Sequence, residues 1–319
     1  MNPDLRQAGI NNRAMAVQHF RMHGQREGRV HRLIHRTLKI VLMTKNERYL
    51  IKHWIQYHGE RFGYANLHVI DDSDDPVVLE YYESVKPLGV HFYFFRSSLR
   101  TLENNINTVL TRIRNQCDFM TKMDTDEFLG CYNPETKEIS IDGETIGREL
   151  DGLVVDGLKY KASYSMNVLP EPQHLYPTSN VTFTEPFKTT FKTIFSSRTY
   201  QHCDLGCHVG QVRSPHDSSR HHDTNLIVVH YHHQRYEQYI ENARKAIVSH
   251  GFINVTDSQE VMINKLTALK KNPGGSCHKV IIYDAHLRDP VGQRAMYYKQ
   301  FAQFPRYQFT KIYALFANP

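Results

Sequence analysis

Residues 119–129 read FMTKMDTDEFL, a short apolar segment that runs directly into a group of acidic residues. In an extended segment, side chains two positions apart point the same way, so Asp124 and Asp126 can face one site while Thr125 turns away. Two carboxylates beside the oxygens of a diphosphate suit a cation such as Mn²⁺ or Mg²⁺. The alternative is a solvated acidic turn, because an Asp-x-Asp triplet by itself is a weak signal.

The first half of the chain alternates between strand-like and helix-like patterns. Short apolar runs predict strands at 38–43, 67–70, 90–95 and 119–123. Helix-spaced apolar residues predict helices at 50–58, 77–86 and 101–115. This alternation favours a mostly parallel sheet covered by helices, in which ligands bind beyond the carboxyl ends of the strands.

Polar residues gather at three of the four strand ends predicted in the first half. The pairs are Asn46 and Glu47, Asp71 and Asp72, and Asp124 and Asp126. Carboxylates collected at one sheet edge repel one another unless a cation or sugar hydroxyls lie among them. The pattern therefore predicts a ligand site at this edge, although Glu47 and Asp71 are equally suited to capping the helices that follow.

The second half is less regular. Strands are predicted at 153–155, 158–163, 191–195 and 226–231, a loop at 170–186, and helices at 235–249 and 258–271. The pattern divides the chain into a basic leader over 1–36 with a predicted helix at 15–22, a main domain over 37–250 and a C-terminal extension over 251–319. The extension is rich in aromatic residues, especially over 294–316, and is expected to pack on the main domain.

Composition bounds the class of protein. The chain has 319 residues and a net charge of +6, which suits an anionic ligand such as a nucleotide diphosphate, a nucleic acid or an acidic lipid. No apolar run approaches the roughly 20 residues of a membrane helix, and the N-terminus lacks the apolar centre of a signal peptide. The 5 cysteines are scattered, unlike a secreted disulfide framework. These features predict a cytoplasmic or virion-internal protein without a membrane span.

Several motifs resemble those of family-2-like glycosyltransferases of the GT-A fold and of the related glycosyltransferase family 92. The resemblance is carried by TKNE at 44–47, WIQYH at 54–58, IDDSD at 70–74 and MDTDEF at 123–128, and continues with KTI at 192–194, CHV at 207–209, and HY at 230–231 with Glu237. It spans residues 38–250 and implies a Rossmann-like, mixed, mostly parallel sheet flanked by helices. Within the main domain, residues 37–130 correspond to the nucleotide-binding half and 131–250 to the acceptor half.

The resemblance also implies roles for individual residues. The donor would be a nucleotide sugar, with a UDP-sugar favoured, and the acceptor a glycan or glycoprotein. Asp126 would bind Mn²⁺ or Mg²⁺ directly, Asp124 would contact both ribose and metal, and Lys192 would pair with the diphosphate. The remaining donor-binding candidates share the first two strand ends: Thr44, Asn46, Glu47, Asp71 and Asp72.

Transfer with inversion, as in family-2-like enzymes, needs a general base that deprotonates the acceptor hydroxyl. The chain has no obvious counterpart of the family's base motif, so the candidates are chosen by position. Asp204 is favoured because it lies between Lys192 and His208, and Asp223 and Asp156 are the alternatives.

Nine of the 20 histidines fall between residues 202 and 250, and two readings of them stay open. His230 follows an apolar run and is predicted as a third protein ligand of the metal, with His208 as its rival. The segment HCDLGCH at 202–208 also has the spacing of half a zinc site, which His221, His222 or His230 would have to complete.

Sugar transfer is the leading prediction, and two other classes compete with it. Nucleotidyl or phosphoryl transferases also use paired aspartates and a metal, although the Gly-x-x-x-x-Gly-Lys phosphate loop is missing from the sequence. A basic nucleic-acid binder would need basic and aromatic residues on one face, whereas the strand ends are acidic.

Overall fold

A computed structural model describes residues 35–48, 50–95, 101–136, 138–167, 174–177, 191–213, 220–231, 235–249, 251–270, 277–299 and 307–308. The predicted helix at 15–22, nearly all of the leader and most of the predicted loop at 170–186 lie outside these residues. So does the aromatic-rich end beyond residue 299, apart from 307–308. Every described helix and strand belongs to the compact unit Thr37–Pro319.

The first half alternates strands and helices as predicted. The elements are β1 Leu38–Thr44, α1 Leu50–Phe62, β2 Leu67–Asp71, α2 Pro76–Val85, β3 His91–Phe94, α3 Leu102–Ile113 and β4 Phe119–Lys122. Helix α1 buries Ile51, Trp54 and Ile55 on its inner face. Helix α2 begins where the Asp75 carboxylate accepts a hydrogen bond from the N–H of Val77, with Pro76 in the first turn.

The second half contains more strands than the sequence pattern indicated. Its elements are β5 Glu127–Asn133, β6 Glu138–Ser140, α4 Gly143–Gly152, β7 Lys159–Asn167, β8 His174–Pro177, β9 Phe191–Ser196, β10 Tyr200–Cys203, β11 Gly210–Val212 and β12 His222–His230. Helices α5 Tyr236–Ser249, α6 Gln259–Lys270, α7 Cys277–Arg288 and α8 Pro290–Lys299 follow, with β13 Tyr307–Gln308. The strand predicted at 153–155 is wrong, because Leu153 is the residue that ends α4.

One large sheet organises the molecule. Nine of its strands follow the order β3-β2-β1-β4-β9-β7-β12-β5-β6, and β8 and β13 extend it beside β7. Within this path, β9 and β5 are antiparallel to both neighbours, so the other seven strands point in one direction. The predicted α/β fold, with a mixed and mostly parallel sheet flanked by helices, is therefore confirmed.

Each face of the sheet carries its own hydrophobic cluster. Strand β1 shows the alternation, because Leu38, Ile40 and Leu42 belong to one cluster and Val41 to the other. Helix α3 covers the second cluster through Ile106 and its neighbours. Burial on both faces explains why the central strands read as almost continuous apolar runs in the sequence.

The C-terminal helices extend the first cluster. Val280 and Tyr283 of α7 and Tyr297 of α8 belong to the same buried cluster as Tyr236 of α5. The hydroxyl of Tyr298 accepts a hydrogen bond from the backbone N–H of Tyr236 at 3.1 Å. Among the described helices, none combines the length and the apolar composition that crossing a lipid bilayer requires.

Candidate active site

The candidate site lies at one edge of the sheet, where strands of both directions bring their polar ends together. Parallel pairing places Thr44 at the end of β1 beside Asp71 at the end of β2. Strand β5 runs the other way, so its first residue, Glu127, pairs with His230 at the end of β12. The turn that carries Asp124 and Asp126 joins β4 to β5 and lies between these ends.

Asp126 and His230 form a partly exposed polar pair at this edge. Oδ2 of Asp126 lies 3.4 Å from Nε2 of His230, and their side chains are 22% and 12% exposed. The backbone holds them together as well, because the N–H of Tyr231 donates to the carbonyl of Asp126 at 2.8 Å. Burial lowers the pKa of His230, but the carboxylates of Asp126, Glu127 and Asp124 outweigh it and raise that pKa overall.

Asp124 makes different contacts from Asp126. Its Oδ1 accepts a hydrogen bond from Lys122, and its Oδ2 accepts one from Lys192 at 2.9 Å. Burial opposes the charge of Asp124, but the two ammonium groups hold its pKa well below the usual range. The side chain is nevertheless 43% exposed, so Asp124 presents an ionised carboxylate toward solvent.

A buried network of hydrogen bonds and ion pairs contacts Asp124 from the protein interior. Lys192 is 0% exposed, and its Nζ contacts Oδ2 of Asp124, Oε2 of Glu127 at 2.9 Å and the carbonyl of Gly206 at 2.7 Å. Glu127 also accepts from the N–H of Asp124 at 2.7 Å and from the Tyr164 hydroxyl at 2.6 Å. An ammonium group has three N–H donors, and all those of Lys192 are engaged. The pairing of Lys192 with a diphosphate, which the family resemblance implied, does not fit this geometry.

Asn46 connects the first two strand ends to each other. Its Oδ1 accepts from the N–H groups of Asp74 and Asp75 at 3.0 and 3.1 Å, and its amide donates to the Asp74 carboxylate at 2.7 Å. The backbone N–H of Asn46 donates to the Ser73 hydroxyl at 2.6 Å, with a φ of 52°. Asn46 therefore holds the loop after β2 in place, and its side chain is already engaged within the protein.

The acidic residues at these strand ends also have local partners. The Asp71 carboxylate accepts from the N–H and the hydroxyl of Ser73 at 3.0 and 2.7 Å, and burial raises its pKa. Oε1 of Glu47 accepts from the N–H of Leu50 at 3.1 Å, in the first turn of α1. Asp72 forms an ion pair with Lys45 at 3.2 Å and is partly exposed. Glu47 and Asp71 thus have the capping and turn-forming contacts that the sequence left as an alternative.

The two predicted histidine ligands have different polar partners. Whereas His230 lies beside Asp126, Nδ1 of His208 donates to the carbonyl of Phe191 at 2.7 Å. Throughout the described residues, no set of three His, Cys, Asp or Glu side chains is arranged to hold a metal ion. Asp126 and His230 are therefore two convergent candidate ligands, and Asp124 faces its lysines instead.

The half zinc site at 202–208 does not assemble in the described residues. Cys203 and Cys207 are free and buried among apolar side chains. His202 points to Glu103, with Nε2 and Oε1 at 2.8 Å. His221 contacts the hydroxyl of Thr193 at 3.1 Å. The two thiols therefore lack imidazole partners that complete a zinc site.

The three predicted general bases lie in different places. Asp223 is highly exposed and pairs with Lys161 at 3.2 Å near the start of β12. It is seven residues from His230, and a strand rises about 3.3 Å per residue, so the two lie about 20 Å apart. Asp156 precedes β7, which is parallel to β12, and therefore lies at the same distant edge. These carboxylates lie at the edge opposite the aspartate pair, so neither is placed to act as a general base at that pair.

Asp204 lies closer but has a structural task. Its Oδ1 accepts from the backbone N–H groups of His208 and Val209, both at 2.8 Å. The same loop supplies the Gly206 carbonyl that Lys192 contacts. The carboxylate of Asp204 therefore closes the loop 203–209 next to the site.

Sequence reasoning missed three residues of the site: Lys122, Glu127 and Tyr164. Glu127 lies within the segment 119–129 and Lys122 lies two residues before Asp124, so the sequence places both close to Asp124. Tyr164 gave no signal, because it reaches Glu127 from a strand 37 residues further along the chain.

Comparisons with known proteins do not identify a family for this chain. No family model matches the sequence, and no curated protein matches it. Among solved structures, a cytidylyltransferase from Leptospira borgpetersenii serovar Hardjo-bovis (strain JB197) is similar over 40% of this chain and 54% of its own chain. The sequence identity is 12% and the TM-score is 0.26, values that support no conclusion about activity.

Proposed function

We propose that this chain is a divalent-metal-dependent glycosyltransferase that moves a sugar from a nucleotide-sugar donor, a UDP-sugar by preference, to a hydroxyl of a glycan or glycoprotein. The observation that carries the proposal is the Asp126–His230 pair, where the turn between β4 and β5 contacts the end of β12. The pair lies beside an exposed carboxylate, Asp124, on the side of the sheet where α/β proteins bind ligands.

The donor atoms of this pair suit Mn²⁺ or Mg²⁺. A carboxylate oxygen and an imidazole nitrogen are acceptable ligands for Mn²⁺, whereas Mg²⁺ prefers oxygen. Two ligands that bind one octahedral ion at about 2.1 Å and at right angles are about 3 Å apart. The 3.4 Å between Oδ2 and Nε2 is close to that separation. A cation held there would offset the negative charge that develops on the departing nucleoside diphosphate.

The residues around the pair suit a nucleoside with free hydroxyls. Because two lysines keep Asp124 ionised, its carboxylate only accepts hydrogen bonds, and sugar hydroxyls are donors that it can bind. Asp72 offers a second, partly exposed carboxylate just after the end of β2. We assign both to the nucleoside half of the donor, which leaves Asp126 and His230 for the metal.

The test is a panel of nucleotide sugars, each with Mn²⁺ and with EDTA, measured by thermal shift and by release of nucleoside diphosphate. A ligand that binds the folded state raises the apparent melting temperature by mass action. We expect a UDP-sugar with Mn²⁺ to give the largest shift and to release UDP. Activity that survives in EDTA would overturn the metal assignment, and a larger shift with GDP than with UDP would overturn the uridine assignment.

The same assay separates sugar transfer from nucleotidyl transfer, the other reaction that uses paired carboxylates and a metal. A nucleotidyltransferase consumes a nucleoside triphosphate and releases pyrophosphate. Pyrophosphate release from any nucleoside triphosphate, without turnover of a nucleotide sugar, would replace the proposed reaction.

A further inference from the structure

Lys192 has contacts on two segments of the candidate site. One segment is the acidic turn 124–127, where its Nζ contacts the carboxylates of Asp124 and Glu127, both at 2.9 Å. The other is the loop 203–209, where it donates to the Gly206 carbonyl at 2.7 Å. We propose that Lys192 is a positioning residue that fastens the acidic turn to this loop and thereby fixes the orientation of the Asp124 carboxylate.

The charge of Lys192 is balanced by carboxylates of the acidic turn. Burying an ammonium group is costly unless carboxylates surround it. Glu127 and Asp124 outweigh the effect of burial and raise the pKa of Lys192, so the side chain stays charged. Lys122 and Lys192 together balance Asp124 and Glu127. Of these four side chains, only Asp124 is substantially exposed. A substitution of Lys192 would therefore affect the binding of a ligand through Asp124.

On the buried side of the network, the Glu127 carboxylate is held by three partners. Glu127 is buried and receives the Tyr164 hydroxyl on Oε1 and the Asp124 N–H on Oε2, besides Lys192. A carboxylate bound from three directions has a fixed orientation. Because the Glu127 carboxylate is fixed, the Lys192 ammonium group that pairs with it also has a fixed position beside Asp124.

The loop 203–209 has a strained backbone conformation that contacts from β9 hold in place. Its backbone closes a turn in which the N–H of Cys207 donates to the carbonyl of Asp204 at 3.0 Å, and Cys207 has a φ of 56°. A positive φ is unfavourable for a cysteine, so the surrounding contacts must hold that conformation. Two of these contacts come from β9: the N–H of Thr193 donates to the Cys207 carbonyl at 2.8 Å, and Lys192 holds Gly206. Removing Lys192 should release the loop and the acidic turn together.

The experiment compares K192M and the charge-balanced double variant K192M/E127Q with K39M. Lys39 is the matched control, because it is also a buried lysine but contacts His68 at 3.2 Å, at the opposite end of β1. The double variant removes one cation and one anion, so it keeps the fold testable if K192M alone does not fold. Amide hydrogen exchange of the peptide covering 203–209 is the primary readout, and binding of Mn²⁺ and of UDP with Mn²⁺ is the second.

We expect exchange of the loop to rise by about tenfold or more in both Lys192 variants, with β1 and β2 still protected, and to stay unchanged in K39M. Unchanged loop exchange in the double variant, or an equal rise in K39M, would overturn the proposal. The ligand readout rests on the proposed function: affinity for UDP should fall by about tenfold while Mn²⁺ binding is retained. If the wild-type chain binds no nucleotide, the proposed function fails, whereas the exchange result still decides the role of Lys192.

Discussion

Nε2 of His230 lies 3.4 Å from Oδ2 of Asp126, although 104 residues separate the two in the sequence. The contact arises because β12 and β5 are antiparallel neighbours whose register pairs His230 with Glu127. A turn residue and a strand end thereby form the pair that we propose as a two-ligand cation site, which the predictions for Asp126 and His230 test directly.

Asp126→Asn should abolish transfer while leaving the fold intact. The amide keeps the shape of the carboxylate but removes the charge that faces the cation, so turnover should fall about a hundredfold or more. The measurement is donor turnover across a Mn²⁺ titration, with Asp223→Asn as the control because Asp223 lies at the opposite edge of the sheet. An Asp126→Asn enzyme with an ordinary Mn²⁺ response would refute the metal assignment.

His230→Ala should weaken the affinity for Mn²⁺ rather than merely slow the reaction. Losing one of two protein ligands should raise the dissociation constant for Mn²⁺ at least about tenfold, and excess Mn²⁺ should restore part of the activity. Titration calorimetry with Mn²⁺ alone measures this change. His202→Ala is the control, since His202 is exposed and bound to Glu103. Unaltered Mn²⁺ affinity in His230→Ala would remove His230 from the metal site.

Asp204→Asn and Asp204→Ala should differ. An asparagine retains an Oδ1 that accepts from the N–H groups of His208 and Val209, so Asp204→Asn should keep near-normal transfer. Alanine loses both hydrogen bonds, each with a net value of about 1 kcal/mol, and should loosen the loop 203–209. Steady-state turnover of the two variants distinguishes the cases. If Asp204→Asn is as inactive as Asp204→Ala, Asp204 is a general base after all.

His58 should make the fold sensitive to acid. The ring is fully buried, its Nδ1 donates to the Trp54 carbonyl at 3.0 Å, and its Nε2 accepts from the N–H of Leu129 at 3.5 Å. A second proton on Nε2 would face that N–H, and burial lowers the pKa of His58 to about 3. The unfolded chain then binds more protons than the folded chain between pH about 6.5 and about 3, so stability falls as the pH falls through that window.

The contribution of His58 should be about 1.4 kcal/mol per pH unit well below pH 6.5. Urea unfolding at pH 7 and pH 5 measures it, and His58→Gln should show a smaller difference between the two pH values than the wild type. His68, whose pKa is also lowered to about 3, should supply part of the slope that remains. An identical slope in His58→Gln would show that His58 does not titrate in this window.

Gly210→Ala should destabilise the β10–β11 hairpin. A Cβ at Gly210 would lie 2.5 Å from the carbonyl oxygen of His202 and 2.6 Å from the ring of Phe195, and a backbone oxygen cannot move away freely. We expect a loss of about 1–3 kcal/mol in the free energy of unfolding. Gly152→Ala is the matched control, because its Cβ would meet nothing within 4 Å. Equal stability of the two variants would contradict the packing described for this hairpin.

The sequence by itself determined the first half of the fold. Strands β1, β2 and β4 are largely buried and therefore read as apolar runs, and the helices between the first four strands show helical spacing. Asp124 and Asp126 were identifiable because two-residue spacing at a strand end is a local property. The α/β class followed from the same alternation, without knowledge of any long-range contact.

Tertiary structure alone decided which residues join those aspartates. In the sheet, β9 and β7 lie between β4 and β12, and this order brings Lys192 and Tyr164 to the acidic turn. The hydrophobic periodicity of the sequence does not specify that order. The same pairing places Asp156 and Asp223 at the opposite edge, although the sequence offered both as alternatives to Asp204 for the general base. Strand order and direction depend on how side chains from distant segments pack together, so a local pattern identifies the polar residues but does not determine which of them meet.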